Sequence, residues 1–149
     1  MATTGLDSFD KTVHQTNIWL GEIGDRLGLG RQHGYHALRA VLHTLRDRLL
    51  PGEAAKLSAE LPMLVRGIYF EGYKPDATPL RIRDCKEFLD TVQERYELDL
   101  PRNPEKLARA VFAVMSDHVS HGEIEKICRM LPKDVAELFP RTAGAGQGQ

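Results

Sequence analysis

The chain has few aromatic residues, 7% of its 149, with a single tryptophan, and only two cysteines, Cys85 and Cys128. Two isolated thiols without CxxC spacing exclude a disulfide scaffold and a zinc knuckle; they fit a reducing compartment in which both are buried structural residues. Neither sign of charge is in excess: 20 Lys and Arg stand against 21 Asp and Glu, a net charge of -1. No global positive field therefore draws the chain to nucleic acid or anionic lipid, although a local basic patch is still allowed. Apolar runs are short of the roughly 18 residues that cross a bilayer. The opening MATTGLDSFDK has neither the basic start nor the apolar core of a signal peptide. These absences predict a cytoplasmic protein with no membrane contact. What is present is the ordinary globular balance, 42% hydrophobic and 28% charged, in a length that supports one domain with a real core.

That length is used twice. At an offset of 70, Arg39 to Tyr69 aligns without a gap on Arg109 to Phe139, and 10 of the 31 positions are identical. The identities include Arg39, Asp47, Gly52, Glu53, Lys56, Leu61 and Pro62 with Arg109, Asp117, Gly122, Glu123, Lys126, Leu131 and Pro132. Elsewhere the apolar pattern survives: Leu42 faces Phe112, Leu45 faces Met115 and Tyr69 faces Phe139. Upstream the offset grows to 79, where Phe9, Thr12 and Val13 match Phe88, Thr91 and Val92. A repeat of this kind predicts one helical unit drawn twice, with a shorter first arm in the second copy.

Periodicity makes the unit helical. Phe9, Val13, Thr16, Leu20, Ile23 and Leu27 fall at steps of four and three, a stripe that predicts a first helix with Ser8 as N-cap and Gly28 as its stop. Leu38, Val41, Leu42, Leu45 and Leu49 mark the second helix. Leu107, Ala110, Val111, Val114 and Met115 mark its counterpart, opened by Asn103-Pro104 at Ncap and N1. The run Val111 to Met115 is apolar nearly all round, which predicts the most buried helix. Asp84 with Glu87, and Ser120 with Glu123, have capping-box spacing. Each Leu-Pro pair, at Leu61-Pro62 and Leu131-Pro132, ends one short helix and opens another. No period-two strand appears. The expected architecture is all-α: a single bundle of about eight helices in two four-helix repeats, residues 8–71 and 84–139. A linker over 72–83 joins them, with a flexible start at 1–7 and a disordered tail at 140–149.

The stretch LPMLVRGIYFEGYKP followed by RIRDCKEFL, the opening FDKTVHQTNIWL and the helix ALRAVLHTLRDRL resemble the bacterial domain-of-unknown-function family 2267, over roughly residues 9 to 139. Proteins of that family look like all-helical bundles, so the resemblance implies the same fold and a bacterial, intracellular setting. It carries no activity, cofactor, partner or site residue.

Chemistry has few places to reside. His33, His36 and His43 have spacings that bring them to one helix face, but no carboxylate or thiol completes a ligand set there, and His43 aligns with Ala113. His118 and His121 stand where one helix ends and the next begins, positions favoured by the dipole or by solvent. Cys85 or Cys128 would need a histidine base to act as a nucleophile. The aligned copies share no Cys, His or Ser, which argues against a duplicated active site. Asp47 and Asp117 oppose a helix dipole near its end. The expectation is that each accepts from amides opening the next helix or pairs with Lys56 or Lys126. Gly52 and Gly122 read as tight turns. Gly21, Gly24 and Gly28 in the first helix require close approach of a neighbour, a bend or a docking groove. Trp19 and Ile18 lie off the main stripe; exposed, they would mark an interface between the halves or with a second chain.

Arg66, Tyr69, Phe70, Tyr73, Lys74, Arg81 and Arg83 mix aromatic and basic residues around the linker, a combination that docks an acidic peptide, a phosphate or a nucleic-acid strand. Packing of the linker is the competing explanation, since Glu71, Asp76 and Asp84 dilute the charge and Tyr69 aligns with Phe139. The sequence as a whole reads as a non-enzymatic helical interaction or scaffold module with a protein partner or a second copy of itself, and no cofactor or metal. The alternatives are an enzyme with its site at the seam between repeats and a phosphate or nucleic-acid binder through Arg66 to Arg83.

Overall fold

The first turn of the chain's longest helix is not where the apolar stripe places it. In a computed structural model, which describes residues 4–98 and 103–141, α1 runs Asp7–Leu27 with Leu6 rather than Ser8 in the N-cap position and no side-chain cap. Asp10 instead accepts from the Thr4 amide at 2.6 Å and its hydroxyl at 2.9 Å, folding the preceding strand of backbone onto the first turn. The buried face is Thr12, Thr16, Trp19, Ile23 and Leu27, while Phe9 and Val13 remain 48% and 37% exposed. The register differs because the first half of α1 turns Thr12 toward α4, where its hydroxyl accepts from the Leu64 amide at 2.9 Å.

α1 stops at Gly28, in the left-handed region at φ 71°, with the Leu29 amide closing on the Gly24 carbonyl at 2.8 Å. The chain then reverses into α2, Arg31–Arg48. Here Gly24 has its explanation. A Cβ on Gly24 would lie 2.7 Å from the Gly30 carbonyl oxygen, and one on Gly34 would collide with the Leu20 carbonyl, so the two helices meet backbone to backbone. Gly21 meets nothing within 4 Å among the described residues.

Among the described residues the remaining helices are α3 (Pro51–Ser58), α4 (Met63–Phe70), α5 (Cys85–Arg95), α6 (Pro104–His118), α7 (His121–Met130) and α8 (Lys133–Ala136), with a single 3-10 turn at Pro75–Ala77 and no strand. α2 packs against α1, α4, α5 and α6, and α6 against α1, α2 and α5. Both are enclosed by neighbours, and α2 has the longer unbroken buried run, Ala40 to Asp47, which includes four polar residues. α6 is therefore not alone as the centre. Phe112 on α6 stacks on Phe139 at 3.9 Å between ring centres and lies 5.9 Å from Phe88.

Asn103, Asp84 and Ser120 cap their helices as expected, accepting from the amides of Lys106, Glu87 and Glu123. The reciprocal halves of the two capping boxes are redirected. Glu87 reaches back to the Arg83 amide, and the Ser120 amide and hydroxyl donate to Glu60 at 2.7 and 2.9 Å, so a residue from the turn after α3 opens α7. Gly52 and Gly122 lie within the first turns of α3 and α7, with no left-handed φ, and are not interhelix turns. Residues 1–3 and 142–149, parts of the expected flexible start and tail, fall outside the described residues.

The backbone contact at the α1–α2 corner makes a testable contrast. Gly34→Ala should lower stability by about 2 kcal/mol through forced separation of the helices. Gly21→Ala, with open space for its methyl, should raise it by up to about 1 kcal/mol. Urea unfolding of the two variants checks both signs.

Candidate functional site

Arg46 lies in the last turn of α2, with its side chain only 4% exposed. Such a charge needs a full set of partners. Its Nε and Nη2 donate to the two carboxylate oxygens of Asp47 at 2.8 and 3.1 Å. Its Nη1 donates to the carbonyls of Tyr69 and Glu71 at 2.7 and 3.0 Å, serving the C-terminal end of α4, where carbonyls lack helical partners and negative dipole accumulates. The guanidinium also stands 5.0 Å over the Tyr73 ring. Asp47 takes a second cation, Arg95 of α5, at 3.0 Å, and its backbone carbonyl accepts from the Leu80 amide at 2.6 Å. The expected partner, Lys56, pairs instead with Glu53, just as Lys126 pairs with Glu123. Asp117, at the aligned position, is exposed and among the described residues pairs only with Arg26, at 3.8 Å. The two aspartates therefore do different work, because Arg46 has Ser116 as its counterpart.

Around this cluster α2, the end of α5 and the segment after α4 enclose a polar cleft of about 540 Å³ at the seam between the two halves of the chain. Arg39, paired with Glu71 at 2.7 Å, stands on one wall and Arg95 on another, with Lys74 at the rim. His43 also lines it; its Nε2 lies 2.7 Å from the Ile68 carbonyl, so the neutral ring donates there. Burial, helped by the nearby arginines, pushes the His43 pKa below its ordinary value against the opposing effect of that hydrogen bond.

The seven residues singled out around the linker, and Trp19 and Ile18 on α1, do not converge. Arg66 spans the end of α3, donating to the Ser58 and Leu61 carbonyls at 2.9 and 3.0 Å. Tyr69 is fully buried, donates to the Ala54 carbonyl at 2.8 Å, and has its pKa raised well above the ordinary value by burial. Tyr73 stands half-buried behind Arg46, its hydroxyl without a hydrogen-bond partner among the described residues, and Phe70 packs edge-on to Tyr69. Lys74 alone of the seven lines the seam cleft. Arg81 and Arg83 are exposed on a separate surface with Met130 and Pro132, where Arg83 pairs with Glu87 at 2.9 Å. Trp19 is buried and stacks on His118 at 5.1 Å, so it joins the two halves; His118 also contacts Glu22 at 2.8 Å. Ile18 is 38% exposed beside it. The linker is held to the body: Ile82 is buried and its carbonyl accepts from Arg48.

Arg46 and Arg95 are the residues that sequence reasoning missed. Comparison at the offset of 70 hid Arg46, since Ser116 stands at the aligned position; its signal was an arginine among the apolar positions of a buried helix. His33, His36 and His43 do not assemble: His36 is 3.9 Å from Glu97 and His43 is held by Ile68. No group of three or more His, Cys, Asp or Glu placed to hold a metal occurs among the described residues. Cys85 and Cys128 are half-buried, and burial pushes both thiols up, away from the reactive thiolate.

Two predictions follow from this cluster. Asp47→Asn leaves two arginines short of a carboxylate and should destabilise the fold by about 3 kcal/mol, whereas Asp117→Asn should change it by less than about 0.5 kcal/mol; thermal melts compare them. For His43 the folded pKa lies below the unfolded value near 6.5. The unfolded chain therefore takes up a proton that the folded chain refuses. The stability it contributes is complete above that value and is lost as the pH falls toward the folded pKa. The urea midpoint measured from pH 7.5 to 5.5 should fall more steeply for the wild type than for His43→Gln.

A comparison with curated proteins finds no match. Against known families, residues 16–138 match the one described as "Uncharacterized conserved protein (DUF2267)". That match spans most of the chain, from the middle of α1 through the last helix, and so takes in the buried arginine cluster, the seam and both sets of helices: the chain belongs to the DUF2267 family.

Proposed function

We propose that this chain is a non-enzymatic helical protein-interaction module of the reducing cytoplasm, built from one duplicated unit over residues 8–71 and 84–139. The observation that carries the reading is an apolar face where α1 meets α4. Thr12 draws the start of α4 against α1, and around that contact Phe9, Val13, Met63 and Leu64 stay 48%, 37%, 47% and 42% exposed. Covering them by a partner is worth on the order of 1 kcal/mol per side chain, the scale of a reversible contact. The free thiols Cys85 and Cys128 support the reducing setting.

Geometry favours this reading over a strand-binding surface from Arg66 to Arg83. Arg66 and Tyr69 are committed to backbone carbonyls, and Arg81 and Arg83 line a different cleft from Lys74. Bases and phosphates would find no continuous row of rings and cations there.

The test is the double variant Phe9→Ser, Leu64→Ser, compared with the wild type by affinity capture from native cytoplasm and by sedimentation velocity. The expected outcome is loss of a stoichiometric partner, or of a dimer, with the melting temperature unchanged within a few degrees. Identical captured proteins and a monomer in both cases would sink the proposal.

A further inference from the structure

The aligned copies differ at one position with a large steric consequence. In the first, Arg66 lays its guanidinium on the Ser58 and Leu61 carbonyls at the end of α3. In the second, Ala136 stands at the aligned position. The Cys128 carbonyl still accepts the Leu131 amide at 3.3 Å, as Ser58 accepts Leu61 at 3.1 Å, but among the described residues it receives no side-chain donor. A methyl group has replaced the plug. What remains is a groove of about 760 Å³ between α7 and α8, running out to Arg141.

Its floor is apolar, formed by Ile124, Cys128, Ala136 and Phe139. Its rim is cationic: Arg129, Lys133 and Arg141 are exposed and make no ion pair among the described residues. Two carboxylates share the edge, Glu125, which lies 3.3 Å from the His121 imidazole, and Glu137, so three cations face two anions. The first copy carries Ala59, Met63 and Glu71 where the second has Arg129, Lys133 and Arg141, so the three cations and the opening occur in the same segment.

We propose that the α7–α8 groove is a docking site for an acidic amphipathic segment of a partner protein, with apolar side chains on the floor and carboxylates on Arg129, Lys133 and Arg141. The one ring on the floor, Phe139, is buried and already stacked on Phe112, so the groove presents no free ring for a base to stack on, and the apolar floor inside a cationic rim suits aliphatic and anionic side chains together. The site is separate from the α1–α4 face and does not depend on it.

The probe is a fluorescein-labelled helical 16-mer with leucines at i, i+3, i+4 and i+7 and glutamates elsewhere. Its controls are the same composition with leucines scattered around the helix and the lysine-for-glutamate peptide. Titrated against the full chain, the acidic amphipath should raise anisotropy and move amide resonances of α7, α8 and residues 137–141. Lys133→Glu, at an exposed position, and Ala136→Arg, which restores the plug, should each weaken it at least tenfold. Circular dichroism melts confirm the fold, and the exposed variant keeps the test decisive if Ala136→Arg unfolds. Equal binding of the scattered or lysine peptide would overturn the proposal, as would an absence of shifts in α7 and α8. A single-stranded oligonucleotide binding more tightly at the same amides would assign the groove to nucleic acid instead. A wild-type dimer that becomes a monomer on Lys133→Glu would assign it to a second copy.

Discussion

Burial of the Arg46 guanidinium is the constraint around which the first half of the molecule and the seam are arranged. A charge with 4% of its side chain exposed is tolerable only where every direction supplies an acceptor. Asp47 supplies two, and the carbonyls at the end of α4 supply two more. Arg95 then brings α5 to the same carboxylate, and the Leu80 amide brings the linker to the Asp47 backbone. Three segments distant in sequence are thus fixed by one buried cation.

The second half meets the same packing problem by a different route. At the positions of Arg46, Tyr69, Arg66 and His43 it has Ser116, Phe139, Ala136 and Ala113. Where Arg46 and Tyr69 donate to backbone carbonyls, the second half stacks Phe112 on Phe139, and a groove lies beside Ala136, the residue aligned with Arg66. A polar network specifies geometry by direction, whereas stacked rings and methyl groups specify it by shape. The halves therefore differ in caps as well as in surfaces and clefts: Asp84, Asn103 and Ser120 cap helices of the second, whereas α1 to α4 begin without a side-chain cap among the described residues.

Helix starts and stops were legible because they depend on contacts a few residues apart. Asn103, Asp84 and Ser120 cap within three positions, and Gly28 ends α1 by its own left-handed conformation. The face of α1 was not legible. Phe9 and Val13 fit the period as well as Thr12 and Trp19 do; the decision came from α4, whose Leu64 amide reaches Thr12 from 52 positions away. Glu60 taking over the start of α7, and Asp47 choosing Arg46 and Arg95 over Lys56, are of the same kind.

The amino-acid sequence alone determined that this chain is helical and where most of its helices begin and end, because period, cap and turn chemistry act over one or two turns of backbone. Tertiary structure decided which polar groups are buried together, that the aromatic and basic residues near the linker separate onto different faces, and that α1 and α2 touch through Gly24 and Gly34. Those outcomes depend on which carbonyls and carboxylates lie within about 3 Å of a donor, and that distance is set by the packing of whole helices.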